Sequence, residues 1–183
     1  MPPATPPLPD LKALVRTVPD FPASGILFRD VTTLMADGAG LAGAIDALAD
    51  LAAGLHVDAV AGIEARGFIF GAALAQKLGT GFVPLRKAGK LPVPTMGEDY
   101  ALEYGEARLE LDPAIIRTGH SVLLVDDLLA TGGTALAGAQ LLRRAGAQCT
   151  HAMFVIDLPD LGGMAALHEQ GIEGRAVMAF DGH

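Results

Sequence analysis

The stretch VLLVDDLLATGGTA, residues 122–135, decides how the rest of the chain is read. Ser-Val-Leu-Leu-Val, residues 121–125, is a near-continuous apolar run, the mark of a strand buried on both faces of a parallel sheet. The chain then runs out through Asp126 and Asp127, makes a short turn, and at Thr131-Gly132-Gly133-Thr134 opens a helix expected over residues 134–145. Open α/β sheets bind ligands beyond the carboxyl ends of their strands, where this segment lies. Two glycines let the backbone wrap close to an anion, and the free N–H groups and positive end of the following helix bind it. Ala130, Thr131, Gly132, Gly133 and Thr134 thus form a cradle whose natural occupant is a phosphate monoester. Asp126 and Asp127 would repel that phosphate, so they face something else; a vicinal sugar diol or a metal ion fits an acceptor-only pair. Phosphate plus diol describes a ribose 5-phosphate. The plainer alternative is a pair of acids capping a helix over an ordinary turn.

Working outward, residues 57–63 (VDAVAGI) read as a buried strand, followed by a turn and helix that stop at Gly79, and residues 81–85 as a strand again. Strand, helix and strand at this spacing make a parallel βαβ unit. Residues 37–53 carry apolar positions three and four apart and read as a helix ending near Gly54. Residues 152–156 read as a strand, 162–170 as a helix and 176–180 as a last strand, and residues 106–111 alternate like a strand of an antiparallel ribbon. Apolar residues at 11, 14, 15 and 18 predict a short amphipathic helix over 9–18, and residues 19–33 an ordered, partly buried loop. Residues 87–104 show no period, hold two prolines and two glycines, and read as a long loop, a length usually tied to function or disorder. The class is α/β: a doubly wound parallel sheet flanked by helices, with a loop-rich cap.

Composition removes many alternatives. The 183 residues suit one domain, residues 9–183, preceded by a flexible Pro-rich tail at 1–8 that lacks the regions of a signal peptide. Lys and Arg number 13 against 21 Asp and Glu, a net charge of −8, which argues against a nucleic-acid surface. No uninterrupted apolar run approaches the roughly 18 residues of a membrane span. The lone Cys149 cannot form an internal disulfide and suits a reducing cytoplasm. Neither serine lies in G-x-S-x-G, and the five histidines show no metal-ligand spacing. There is no Walker motif and no dinucleotide G-x-G-x-x-G.

Two further segments invite anions. Glu64-Ala65-Arg66-Gly67 follows the strand at 57–63 and opens a helix, and Arg86, Lys87 and Lys90 form a basic R-K-x-x-K cluster at the exit of the next strand. Arg66 reads equally as a structural ion-pair partner, and the lysines as a solvated run.

Residues 122–135 resemble the ribose-phosphate-diphosphate (PRPP) signature of the type I phosphoribosyltransferases. DFPASGILFRDVT (20–32), GIEARGFIFG (62–71), FVPLRKAGKLP (82–92) and YALEYG (100–105) are similar to the adenine branch of that family. The resemblance implies a small hood from about 9–35, a flexible catalytic lid loop at 87–104, and transfer of 5-phosphoribosyl from PRPP to adenine, giving AMP and pyrophosphate. It implies Mg²⁺ carried by PRPP and water with no firm protein ligand, and a cytoplasmic homodimer. Residue by residue, Asp126, Asp127 and 130–134 would hold PRPP or AMP. Glu64, Ala65, Arg66, Arg86, Lys87 and Lys90 would meet pyrophosphate, with a cis peptide at Glu64–Ala65. Leu27, Phe28 and Arg29 would take adenine by an aromatic face and main-chain atoms, with Leu158 opposite. Glu103 would exchange the adenine proton, Tyr104 would shut out water, and Arg66 would share in catalysis. The alternatives are an enzyme for another purine base and a non-catalytic PRPP-sensing regulator.

Overall fold

The computed structural model describes residues 10–102 and 105–182. The expected tail at 1–8, with Glu103 and Tyr104, lies outside them. The chain opens on a two-stranded antiparallel ribbon, β1 (Arg16–Pro19) and β2 (Leu27–Asp30), paired from Arg16↔Asp30 to Pro19↔Leu27. Two helices follow, α1 (Thr32–Ala36) and α2 (Gly38–Leu51), the second capped by the Asp37 carboxylate, which accepts the Gly40 N–H at 2.7 Å. Then come β3 (Ala59–Ile63), α3 (Arg66–Leu78) and β4 (Gly81–Lys87), with α3 closed by Gly79 at φ 70°. A hairpin of β5 (Met96–Leu102) and β6 (Gly105–Leu111) leads into β7 (Val122–Leu129), α4 (Gly133–Arg144), β8 (His151–Asp157), α5 (Gly163–Glu169) and β9 (Glu173–Ala179).

The large sheet has seven strands in the order β5-β6-β4-β3-β7-β8-β9. Strands β4, β3, β7, β8 and β9 run parallel, and β6 joins β4 antiparallel through Arg86↔Glu110 and Lys87↔Leu109. Alternate residues of the central strands feed two cores. Leu124 and Phe154 pack with Leu141 and Leu142 of α4 and Leu167 of α5. Leu123, Val125, Met153 and Val155 pack with Ile45 and Leu48 of α2 and Phe70 and Leu74 of α3 on the other face. The parallel βαβ unit and the helices on both faces are as the sequence predicts.

Three expectations need correction. Within the predicted amphipathic helix at 9–18, residues 10–18 are not helical: residues 10–15 make i to i+3 turns and β1 begins at Arg16. The predicted loop at 19–33 contains β2 and the start of α1. Seven of the 18 residues of the predicted loop at 87–104 form strand β5, which pairs with β6 from Met96↔Leu111 to Leu102↔Gly105. Pro92 and Pro94 fall before that strand, where missing N–H donors cost no ladder bond. No helix among the described residues is long and apolar enough to cross a membrane.

Candidate active site

The strand order reverses between β3 and β7: the chain continues from β3 to β4 on one side, and from β7 to β8 on the other. Such a switch point leaves a crevice beyond the carboxyl ends of the two strands. A cavity of about 730 Å³ lies there, lined by Ile63–Arg66 after β3, by Asp126–Ala135 along β7 and into α4, and by Lys87, Tyr100 and Ala107. Helices α3 and α4 both begin at this cavity, and neither start carries a side-chain cap. Two sets of free N–H groups and two positive helix ends therefore serve one space.

The α4 side is the turn at 130–133. Gly132 sits at φ 91°, where a β-carbon would be strained, and its carbonyl accepts the Leu136 N–H at 2.8 Å. The start of α5 buttresses the turn. A β-carbon on Gly163 would meet the Ala130 carbonyl and come within 2.7 Å of Leu129 Cγ. Both acids precede the turn inside β7, which extends past the predicted strand end to Leu129. An Asp126 oxygen accepts the Asp127 N–H at 2.9 Å. Withdrawal from water, and then the Asp127 charge beside it, push the Asp126 carboxyl well above the ordinary carboxylate range. Asp127 is 5% exposed, and its carboxylate accepts from Nε of Arg66.

The α3 side is reached through a cis peptide at Glu64–Ala65, as the resemblance implies. Glu64 turns its side chain away toward β4. Its carboxylate accepts the Lys87 N–H at 2.9 Å and pairs with Arg86 at 3.3 Å. Burial alone would raise that carboxyl, but the Lys87 N–H, Arg86 and Lys90 outweigh it and hold it below its ordinary value. Arg86 also donates to the Lys90 carbonyl at 2.9 Å. Of the expected pyrophosphate group, Glu64, Ala65, Arg66 and Lys87 line the cavity, whereas Arg86 and Lys90 stand behind it.

The four residues expected at the base, Leu27, Phe28, Arg29 and Leu158, do not line this cavity. Phe28 adjoins it through Arg66, whose guanidinium lies 5.9 Å from the ring centroid. Phe21 meets Phe28 edge-on at 5.2 Å. Leu158 is buried at the end of β8. The Arg29 side chain points to the C-terminal segment, donating to the Asp181 carbonyl at 2.8 Å and the Thr17 hydroxyl at 2.7 Å. Both terminal nitrogens of its guanidinium are therefore engaged away from the cavity, while its Nε is buried without a partner among the described residues. Asp30 anchors the same ribbon; hydrogen bonds from Thr32 and Arg16 hold its carboxyl down to about 2.

Sequence reasoning missed Tyr100. It sits on β5, half-buried against the core beside α4, and reaches the cavity from the hairpin. Its strand carries no clean apolar alternation, since Glu98 shares the period of Met96 and Tyr100, so no local signal marks it.

The site can hold two anions flanking an acid pair, and known proteins agree with that arrangement. Residues 30–164 match the phosphoribosyl transferase domain family. The adenine phosphoribosyltransferase of Novosphingobium aromaticivorans is 64% identical over 95% of this chain and 98% of its own. The crystal structure of the Thermoanaerobacter pseudethanolicus adenine phosphoribosyltransferase superposes with a TM-score of 0.89 at 42% identity, covering 93% of this chain and 98% of that one. The Saccharomyces cerevisiae enzyme, solved with adenine and an iminoalditol bisphosphate, gives 0.85 at 36% identity, covering 92% and 96%. By these likenesses the chain belongs to the phosphoribosyl transferase domain family and, within it, to the adenine phosphoribosyltransferases.

Proposed function

We propose that this chain transfers 5-phosphoribosyl from PRPP to N9 of adenine, giving AMP and pyrophosphate in purine salvage. One observation carries the reading: two uncapped helix starts and a carboxylate pair share a single cavity. PRPP has the matching form, an anion at each end of a ribose with a diol between them. The 130–134 turn takes the 5-phosphate, Asp126 and Asp127 take the diol, and the main chain at 64–66 takes the diphosphate. The Arg66 bond to Asp127 opens when the diol arrives. Lys87 adds charge at the diphosphate end, with Arg86 and Lys90 behind it.

As the bond from C1 to pyrophosphate breaks, the electron pair leaves with the diphosphate and positive charge spreads over the ribose ring. The helix starts and Lys87 stabilise the departing charge, and closure over the site keeps water from C1. N9 of adenine forms the new bond to C1 while its proton passes to Glu103, with Tyr104 shielding the site. Adenine lies against Phe28 and the main chain of Leu27 and Arg29, with Leu158 on the far side.

Among the described residues no three His, Cys, Asp or Glu side chains gather as a metal cage. Mg²⁺ would be held on PRPP oxygens and water, where it would neutralise diphosphate charge beside Lys87. We also infer a cytoplasmic homodimer, which sedimentation tests.

The purified chain is incubated with PRPP, Mg²⁺ and equal adenine, hypoxanthine, guanine and xanthine, and every nucleotide formed is identified. AMP alone supports the reading. IMP, GMP or XMP overturns the base assignment, and PRPP binding without product points to a sensor. Glu103→Gln is expected to lower kcat about 100-fold with PRPP affinity kept; a pure binding defect refutes proton transfer.

A further inference from the structure

The two sides proposed for the base belong to different parts of the fold. Phe28 lies on β2, in a ribbon that shares no strand pairing with the large sheet, and Leu158 follows β8 inside that sheet. Their separation decides whether a flat bicyclic ring is gripped on both faces, and a gap of about 0.5–1 Å forfeits roughly a quarter to a half of the dispersion contact.

Residues 180–182 cross from one side to the other. At the sheet end, the Phe180 N–H donates to the Asp157 carbonyl at 3.0 Å, and the Gly182 N–H donates to the Asp160 carboxylate at 3.0 Å. Asp157 and Asp160 bracket Leu158. At the ribbon end, Arg29 donates to the Asp181 carbonyl at 2.8 Å and its guanidinium lies 4.7 Å from the Phe180 ring centroid. The ammonium of Lys12 lies 4.7 Å from the same centroid. Phe180 is only 8% exposed, packed in the core that also holds Leu158 and Val31. A cation against a largely desolvated ring is a directional contact as well as an apolar one. Arg29 also bonds the Thr17 hydroxyl on β1, so one guanidinium locks both ribbon strands to the C-terminal segment.

We infer that Arg29 and Phe180 are positioning residues for the base, a brace that fixes Phe28 and Leu158 at the spacing of a purine. This rests on the adenine reading above. Among the described residues neither Arg29 nor Phe180 hydrogen-bonds to the 130–134 turn or to the acid pair, so loosening the brace is expected to act on adenine far more than on PRPP.

The test is steady-state kinetics on the full chain, with KM for adenine and for PRPP measured separately beside thermal melts. Phe180→Leu keeps an apolar side chain but removes the π-face. It is expected to raise the adenine KM about 5-fold or more, with the PRPP KM within about twofold. Phe180→Tyr keeps the ring and is expected to restore the adenine KM. Arg29→Lys keeps the charge but cannot reach Asp181, Thr17 and the ring together, so it should behave like Phe180→Leu. If Phe180→Leu does not fold, Arg29→Lys decides alone. An unchanged adenine KM in a folded variant, or an equal rise for PRPP, overturns the brace. A wild-type chain that makes no AMP overturns the adenine reading instead, so the two failures are distinct.

Discussion

The two walls of this site are built in opposite ways. The wall proposed for phosphate is contiguous: acid pair, glycine turn and helix start follow one another from Asp126 to Thr134. The wall proposed for the base is assembled from β2, the turn after β8 and the C-terminal segment, and its Arg29 to Asp181 contact spans 152 positions of sequence. A contiguous wall is set by local backbone geometry and depends on its own residues. A dispersed wall depends on every element that holds its parts together, so it can be retuned from a distance. Arg66 joins them, bonded to Asp127 on one side and facing the Phe28 ring on the other.

The largest expected effect belongs to the contiguous wall. Replacing Asp126 and Asp127 together by Asn removes the two proposed contacts to the diol, a charge-assisted one at Asp127 and a neutral one at Asp126, together worth about 2–4.5 kcal/mol. The kcat/KM for PRPP should fall roughly 30- to 2,000-fold. The fold should survive, because burial already disfavours the charge on Asp126. Calorimetry with PRPP and a thermal melt check both halves; undiminished turnover would sink the diol assignment.

Next comes the dispersed wall. Phe28→Ala should raise the adenine KM about 5- to 150-fold, from the roughly 1–3 kcal/mol that aromatic stacking gives a base. The PRPP KM should move by less than about twofold. If both constants rise together, the walls are not independent and Arg66 is the coupling to examine.

A third substitution probes how the walls are buttressed. A β-carbon at Gly67 would stand 2.7 Å from Asp126 Oδ1 and 3.0 Å from the Val125 carbonyl. Gly67→Ala should therefore cost about 1–3 kcal/mol of stability as overpacking, and weaken PRPP more than adenine. A melt unchanged from wild type would mean that α3 shifts freely against β7.

The same contrast explains what could be read from the chain alone. The β7 to α4 segment was legible because strand, acids, glycines and helix start lie within 14 residues, and each makes its point locally. Helices α2 and α3 were legible from apolar spacing and their stops near Gly54 and at Gly79. The ribbon was not. Leu11, Leu14, Val15 and Val18 match a helical face in a short window, while the strand starting at Arg16 exists because of partners at 27–30. Strand β5 was hidden for the same reason, its apolar signal weak and its partner across a hairpin. Arg29 matched the resemblance, but its side-chain direction depends on Asp181, which no local pattern announces.

The smallest expected effect compares two carboxyls on neighbouring strands, Asp157 at the end of β8 and Asp126 within β7. Asp157, 8% exposed, has one oxygen buried with no partner among the described residues. Burial raises its carboxyl above the ordinary range, only partly offset by the Leu158 N–H. A carboxyl whose folded value is raised binds its proton more tightly when folded, so its contribution is favourable below the unfolded value, near 3.9. That contribution is lost as pH rises through the folded value, and the charged form then weighs on the fold. Asp157→Asn should thus gain about 1 kcal/mol at neutral pH and little below pH 4, read from melts across that range. Asp126→Asn should shift stability in the same direction but weaken PRPP use strongly, if Asp126 holds the diol as proposed. If Asp157→Asn gains stability and keeps its adenine KM, the base wall tolerates relief at a point where the phosphate wall does not. If the adenine KM rises while stability climbs, Asp157 belongs to the base wall, held against its own folding cost as Asp126 is.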